Sequence, residues 1–273
     1  MTRMSADLHE AVLVIAREAG DAILEIYEHA FDVHRKADDS PLTAADLAAN
    51  RVITEGLQRL TPDIPILSEE GAQLPWTTRS GWSSYWLVDP LDGTREFVKR
   101  NGEFTVNIAL IKRHEPVFGV VHAPVTGLTW HAEQGRTAFR RSGQVDVPLR
   151  TRAPATAPLR VAASRSHRDA RTQAVLASMG ETEVIGLGSS LKFCRIAEGG
   201  LDVYPRFGPT SEWDTAAAQC VLEAAGGALL APDGRAFRYN RRDTLLNGDF
   251  IALGDASLPW RRWLEAAHVE AHG

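Results

Sequence analysis

The residues of this sequence best suited to chemistry are carboxylates, and two of them share the run Asp89-Pro90-Leu91-Asp92-Gly93-Thr94. The apolar triplet Trp86-Leu87-Val88 ahead of them has the length and bulk of a buried strand. Proline fixes its own φ and glycine tolerates a sharp turn, so Asp89 and Asp92 are expected to project from a rigid corner. Like charges brought together at a buried strand end are costly unless a cation lies between them. Oxygen donors without histidine or cysteine suit a hard divalent ion such as Mg²⁺. The same residues, leucine excepted, also build surface turns. This stretch by itself does not choose between the two readings.

Other acidic residues sit where they could join the pair. Ser68-Glu69-Glu70-Gly71 follows the strand-like Ile64-Pro65-Ile66-Leu67, and one excursion and a return strand separate it from Asp89. Glu69 could therefore reach the same ion. Thr43-Ala44-Ala45-Asp46 fits a capping box, which makes Asp46 on its own a helix cap before a catalyst. Asp214, after Trp213, opens an alanine-rich helix and taken alone is an N-cap.

The elements that must position these groups can be outlined. Apolar residues at helical spacing predict an amphipathic helix from Ser5, its N-cap, to about Tyr27, and a second from Thr43 to about Leu60. Val33 begins a strand-to-loop passage with Lys36 at its edge. After Thr94 short strands are expected at Phe104 to Ile111, Pro116 to His122, Leu128 to Ala132 and Thr137 to Arg140, as in a meander. The Ala-, Pro- and Thr-rich stretch Thr151 to Pro158 is the best boundary, giving an N-terminal unit over 1–152 and a C-terminal unit over 159–273. Beyond it strands at Leu159, Glu183, Leu201, Ala228 and Asp249 alternate with helices ending near Met179, Gly199 and Gly226 and a last one from Pro259, an α/β pattern.

Composition narrows the function classes. At 273 residues with 44% hydrophobic and 24% charged residues, the chain can bury a sizeable core as an ordinary globular protein. Its net charge of −5 and the absence of a basic stripe argue against a nucleic-acid partner, while leaving room for a small anionic ligand. The apolar run Ala11 to Ala16 is too short for a signal peptide and no stretch approaches a membrane span. Cys194 and Cys220 read as buried reduced thiols, so a cytoplasmic location is expected. The oligomeric state is not readable from these residues.

Taken together and in order, Glu69-Glu70, Asp89-Pro-Leu-Asp92-Gly-Thr94 and Trp213-Asp214 resemble the signature of the inositol monophosphatase superfamily, the metal-dependent, lithium-sensitive phosphomonoesterases. Glu96 to Ile111, Ser164 to His167, Gly188 to Cys194 and Tyr204 to Thr210 are similar to its bacterial 3′(2′),5′-bisphosphate nucleotidases. The resemblance runs over about residues 5 to 255. It implies an α+β N-terminal domain and an α/β C-terminal domain layered as the αβαβα sandwich of the inositol monophosphatase and fructose-1,6-bisphosphatase type.

The resemblance also implies roles. Glu69, Asp89 and the Leu91 carbonyl would hold one Mg²⁺, and Asp89, Asp92 and Asp214 a second; some members bind a third near Glu69. Thr94, polarised by Asp46, would take part in deprotonating the attacking water, with Glu69 orienting it. Gly93 and Thr94 would offer backbone N–H groups to the phosphate, next to substrate-binding Asp214. A second phosphate would be gripped at Ser164, His167, Gly188, Ser189, Lys192 and Arg206. Each of these also has an ordinary explanation, such as Lys192 on a solvated face or Ser189 capping a helix. Lys36 would neutralise Asp46 or the phosphate surroundings. Arg95 departs from the lysine that other members often carry, and Arg241-Arg242 has no derivable role.

The implied activity is hydrolysis of the 3′-phosphate of adenosine 3′,5′-bisphosphate to AMP and phosphate, in sulfur assimilation, with the 5′-phosphosulfate analogue as a second substrate. The alternatives are an inositol- or sugar-phosphate phosphatase with the same metals, or a nucleotide sensor without turnover. Peripheral association with the inner membrane belongs to some relatives and has no visible basis in this sequence.

Overall fold

The computed structural model describes residues 4–29, 33–35, 41–71, 74–163 and 170–270. The first part of the chain forms α1 (Ala6–Tyr27), β1 (Val33–Arg35), β2 (Pro41–Thr43), α2 (Ala44–Leu60), β3 (Ile66–Ser68) and α3 (Trp76–Arg79). There follow β4 (Ser84–Asp92), α4 (Thr94–Val98), β5 (Thr105–Lys112), β6 (Glu115–Ala123), β7 (Leu128–Glu133), β8 (Phe139–Ser142) and β9 (Val145–Pro148). The remainder gives β10 (Leu159–Ala163), α5 (Ala170–Ser178), β11 (Thr182–Gly186), α6 (Leu191–Ala197) and β12 (Val203–Arg206). It closes with α7 (Glu212–Ala224), β13 (Ala228–Leu230), β14 (Phe250–Leu253) and α8 (Trp260–Glu270).

β3 to β9 make a seven-stranded sheet in sequential order, antiparallel except for the parallel β3–β4 pair. This is the expected meander, extended by β9, whose residues are all exposed. The second sheet has the order β11-β10-β12-β14-β13, with β10 parallel to both neighbours. The layers follow from which faces are apolar. Val12, Ala16, Ile23, Ala49 and Ile53 of α1 and α2 pack on Trp86, Val88, Ile108 and Val120 on one face of the large sheet. Leu87, Ala109 and Val121 on its other face meet α6 and α7, which in turn meet Tyr204 and Ala252 of the small sheet. Val175 of α5 and Trp260 and Trp263 of α8 cover that sheet's outer face. Helices and sheets thus alternate as α-β-α-β-α, the layered sandwich expected from the sequence.

The helix starts have the expected chemistry. Ser5 Oγ accepts from the Leu8 N–H at 3.1 Å. In α2, Asp46 Oδ2 accepts from the Thr43 N–H at 2.8 Å and Thr43 Oγ1 accepts from the Ala45 N–H at 3.2 Å. Helix α7 differs from expectation. Asp214 is not its N-cap but the third helical residue, which closes a capping box opened by Ser211, whose N–H donates to Asp214 Oδ2 at 2.8 Å.

Helix α7 lies at the centre of the molecule because its residues are small. Ala216, Ala217 and Ala218 allow it to approach the large sheet at Gly119 of β6. A Cβ at Gly119 would lie 2.3 Å from the Ala217 carbonyl oxygen and 2.9 Å from the Ala217 Cα. Backbone cannot give way as a side chain would. Gly119→Ala is therefore expected to cost at least about 1–3 kcal/mol as α7 is pushed off the sheet, read as a lower denaturant midpoint. An unchanged midpoint would contradict this packing.

Candidate active site

Strand β4 delivers the first two carboxylates, and it does not stop short of them. It continues through Pro90 and Leu91 to Asp92, so the expected corner is a bulge within a strand. Asp89 pairs with Asn107 and Asp92 with Thr105, which leaves one more residue on β4 than on β5. In a regular strand residues an odd number apart face opposite sides, and the extra residue cancels that alternation. Pro90 is tolerated there because a bulge needs no ladder hydrogen bond from it. Gly93 then turns the chain at φ 93, and its missing Cβ would stand 3.0 Å from the Glu103 carbonyl oxygen. Both facts require glycine.

Asp89, Asp92 and Asp214 each bring a carboxylate oxygen to within 4.8 Å of the others. Asp214 arrives from the first turn of α7, far away in sequence. Glu69, at the end of β3, and Asp214 both lie within hydrogen-bonding reach of the Asp89 carboxyl. Asp89 is buried, at 1% exposure. Burial pushes its carboxyl well above the usual carboxylate range, and the charges of Glu69, Asp92 and Asp214 push it further. The Asp214 carboxyl is raised the same way, by burial first and then by Asp92. Such a group of oxygen donors, without histidine or thiolate, fits a hard divalent cation of the Mg²⁺ type. The Leu91 residue lines the same cavity, which measures about 570 Å³.

One further contact ties the corner to the helix α2. Thr94 Oγ1 donates to Asp46 Oδ1 or to the Leu91 carbonyl, each 3.3 Å away. Asp46 is buried, and its other oxygen accepts from Thr43 Oγ1 at 2.7 Å as well as from the capped N–H. Capping and orientation of Thr94 are thus performed by one carboxylate with two oxygens. Two residues not predicted for the site hold Asp92. Its Oδ2 accepts from the Ser190 N–H at 2.7 Å, from Ser190 Oγ at 2.8 Å and from Asn107 Nδ2 at 3.4 Å. Ser190 lies inside the Gly188-to-Cys194 run, so its position was visible, but its partner was not. Asn107 could be seen only as a polar break in an otherwise apolar strand.

The cationic side of the cavity is less simple than expected. Gly188, Ser189, Lys192 and Arg206 all line it. Lys192 is not on a solvated face: it is 7% exposed, and Nζ donates to the Leu187 and Ser189 carbonyls at 3.2 and 2.7 Å. Burial lowers its pKa to about 8, a fall opposed by Asp92. Ser189 does not cap α6, since that place belongs to Ser190. The Gly188 N–H donates to Glu103 Oε2 at 2.8 Å, and Arg206 Nη2 donates to the Pro209 carbonyl at 3.2 Å. Ser164, His167 and Lys36 lie outside the described residues. Among the described residues, no helix is long and apolar enough to cross a membrane.

With this geometry in view, comparison with known proteins is informative. The profile of the inositol monophosphatase family matches residues 6–268. The chain is 51% identical to the 3′(2′),5′-bisphosphate nucleotidase CysQ of Salmonella typhimurium over 243 residues, covering 88% of this chain and 97% of that one. The CysQ of Haemophilus influenzae is 36% identical over 263 residues, 96% of this chain and 98% of its own. The fold is similar to the crystal structure of CysQ from Bacteroides thetaiotaomicron, a bacterial member of the inositol monophosphatase family. That match has a TM-score of 0.78 and 40% identity, covering 90% of this chain and 97% of the other. A Thermotoga maritima inositol monophosphatase shares the fold at a TM-score of 0.81 and 24% identity, covering 98% and 100% of the two chains. A profile spanning nearly the whole length, and relatives this alike over nearly all of theirs, leave one conclusion: the chain belongs to the inositol monophosphatase family.

Proposed function

We propose that this protein is a Mg²⁺-dependent phosphomonoesterase that removes the 3′-phosphate of adenosine 3′,5′-bisphosphate, giving AMP and phosphate. The 5′-phosphosulfate analogue, which carries the same 3′-phosphate, is its second substrate. The observation that carries this reading is the meeting of Asp89, Asp92 and Asp214 in a cavity that Lys192 and Arg206 also line. A nucleotide with two phosphates needs one phosphate on the ions that the carboxylates would hold and the other met by cationic side chains. Relatives curated as bisphosphate nucleotidases, up to 51% identical, support the same assignment.

Glu69, Asp89 and the Leu91 carbonyl would hold one ion, and Asp89, Asp92 and Asp214 another. Bound there, two Mg²⁺ stabilise the charge that develops on the attacking and leaving oxygens of an in-line displacement. The chain's own residues do the rest. As Thr94 Oγ1 accepts a proton from the attacking water it passes its own to Asp46 Oδ1, the acceptor 3.3 Å away. The two donors from Thr43 on its other oxygen hold the Asp46 carboxyl in the orientation that meets Thr94. Glu69 orients the water. Ser190 and Asn107 hold Asp92 in place, and Lys192 fixes the Leu187-to-Ser189 turn while contributing positive charge to the second phosphate's end.

Phosphate release from a panel of monoesters tests the substrate. A kcat/KM for adenosine 3′,5′-bisphosphate well above that for inositol 1-phosphate is expected, and the reverse order would overturn the assignment. Asp92→Asn should lower kcat by about 100-fold or more, the scale of losing one pre-organised electrostatic group. Retention of wild-type turnover would contradict the role given to Asp92.

Lys192 supplies a pH test. Its charge is lost above pH of about 8, so kcat/KM for the bisphosphate should fall there, with little change for a small monoester. Unfolding would not explain the fall: the unfolded lysine binds its proton up to about pH 10.4, so this group's contribution to stability rises between the two values. The fall should be absent in Lys192→Ala, whose KM for the bisphosphate is raised at every pH. Equal losses on both substrates would count against the second-phosphate role.

A further inference from the structure

The chain between β13 and β14 holds the Arg241-Arg242 pair for which the sequence offered no purpose. Part of this segment, from about residue 239 to 247, forms a strap across the start of α7. One end is fastened to Arg79, the last residue of α3, whose side chain is 2% exposed. Arg79 Nη1 donates to Asn240 Oδ1 at 2.6 Å and to the Arg242 carbonyl at 3.1 Å, and Nη2 donates to the Asp243 carbonyl. Asn240 answers by donating from Nδ2 to the Arg79 carbonyl at 2.6 Å. Arg242 thus enters through its backbone.

The strap then reaches the residues around Asp214. The Asn240 N–H donates to Glu212 Oε2 at 2.8 Å, and the Glu212 N–H donates to the Leu245 carbonyl at 2.8 Å. Asn247 Nδ2 donates to the Ser211 carbonyl at 2.7 Å and to Thr215 Oγ1 at 3.0 Å. Ser211 is the residue whose N–H is held by Asp214 Oδ2. Arg79, at the other end, stands just before β4, whose far end carries Asp89 and Asp92. The path from Arg79 through Asn240 and Glu212 to Asp214 therefore links the two elements that bring the carboxylates together.

Stability alone does not explain this composition. Arg79 Nε and Glu212 Oε1 are buried without a hydrogen-bond partner. Exchanging such a buried charged group as a whole for apolar side chains of similar volume is often neutral or stabilising. What apolar packing lacks is direction. Asn240 also sits at φ 52, a left-handed conformation unusual for a residue other than glycine, and it makes both of its contacts from there.

We propose that Arg79 and Asn240 are positioning residues: the strap they clamp sets Asp214 against Asp89 and Asp92 and so sets the affinity of the site for a divalent cation. This rests on the metal-binding reading given under Proposed function. Binding of Mn²⁺, followed through the electron paramagnetic resonance signal of the free ion, tests it in the wild type, Asn240→Gly, Arg79→Lys and Asp214→Asn, alongside the thermal midpoint of each. Asn240→Gly keeps the left-handed φ without steric cost while removing both contacts with Arg79. It decides the matter even if Arg79→Lys fails to fold. We expect Mn²⁺ to bind about 10-fold more weakly to Asn240→Gly, the scale found for groups that orient metal ligands. The KM for nucleotide at saturating Mg²⁺ should stay within about twofold of wild type, since the strap touches no substrate. A folded Asn240→Gly that binds Mn²⁺ as the wild type does, even with a lower midpoint, would overturn the proposal. If wild-type Mn²⁺ binding does not depend on Asp214, the metal-binding reading itself falls and takes the strap with it.

Discussion

The mutual repulsion of acidic side chains is the constraint on which the rest of this structure turns. Asp89 is enclosed in protein beside Glu69, Asp92 and Asp214, and both burial and their charges oppose its ionisation. Nothing in folding alone would collect these groups, because unlike charges or apolar contacts would serve the core better. The surrounding scaffold must therefore hold them against their own preference. It does so with rigid pieces: a bulged central strand, a capped helix pressed to a glycine, and a turn that only glycine adopts.

That scaffold explains why the layers are arranged as they are. Asp89 and Asp92 ride on β4, inside a seven-stranded sheet, where a displaced side chain would disturb neighbours on both faces. Asp214 rides on the helix that lies between the two sheets, so its distance from β4 is set by the alanine face of α7 against Gly119. Ser190, at the start of α6, donates its N–H to the Asp92 carboxylate while its hydroxyl can donate to the Asp214 carbonyl, which ties the two elements together at the site itself. Chemistry and packing share the same contacts.

Much of this was legible in the sequence, and the boundary of legibility has a physical meaning. The order of acidic motifs, the capping box at Thr43 and Asp46, and the alternation of strands in the meander are local patterns, readable from residue type and spacing. The bulge at Asp89 to Asp92 was not, since it is a property of the pairing with β5 rather than of either strand. Asp214 looked like an N-cap because aspartate at a helix start has two uses, and only the position of Ser211 separates them. Lys192, expected to grip a second phosphate, had a solvated face as its ordinary alternative because a lysine on a short helix is usually exposed. Here the small sheet covers it, with Tyr204 of β12 beneath its ammonium group. The contact of Arg79 with Asn240 spans 161 residues and leaves no trace in either segment.

The account stands or falls on whether a divalent ion occupies the carboxylate cluster. Anomalous diffraction from crystals grown with Mn²⁺ addresses this directly. The expected result is a peak among Asp89, Asp92 and Asp214, with carboxylate oxygens at about 2.0–2.6 Å, the range for hard divalent ions on oxygen ligands. A second peak is expected beside Glu69 and the Leu91 carbonyl. A map with Mn²⁺ bound only elsewhere, and the three aspartates turned away from one another, would contradict it.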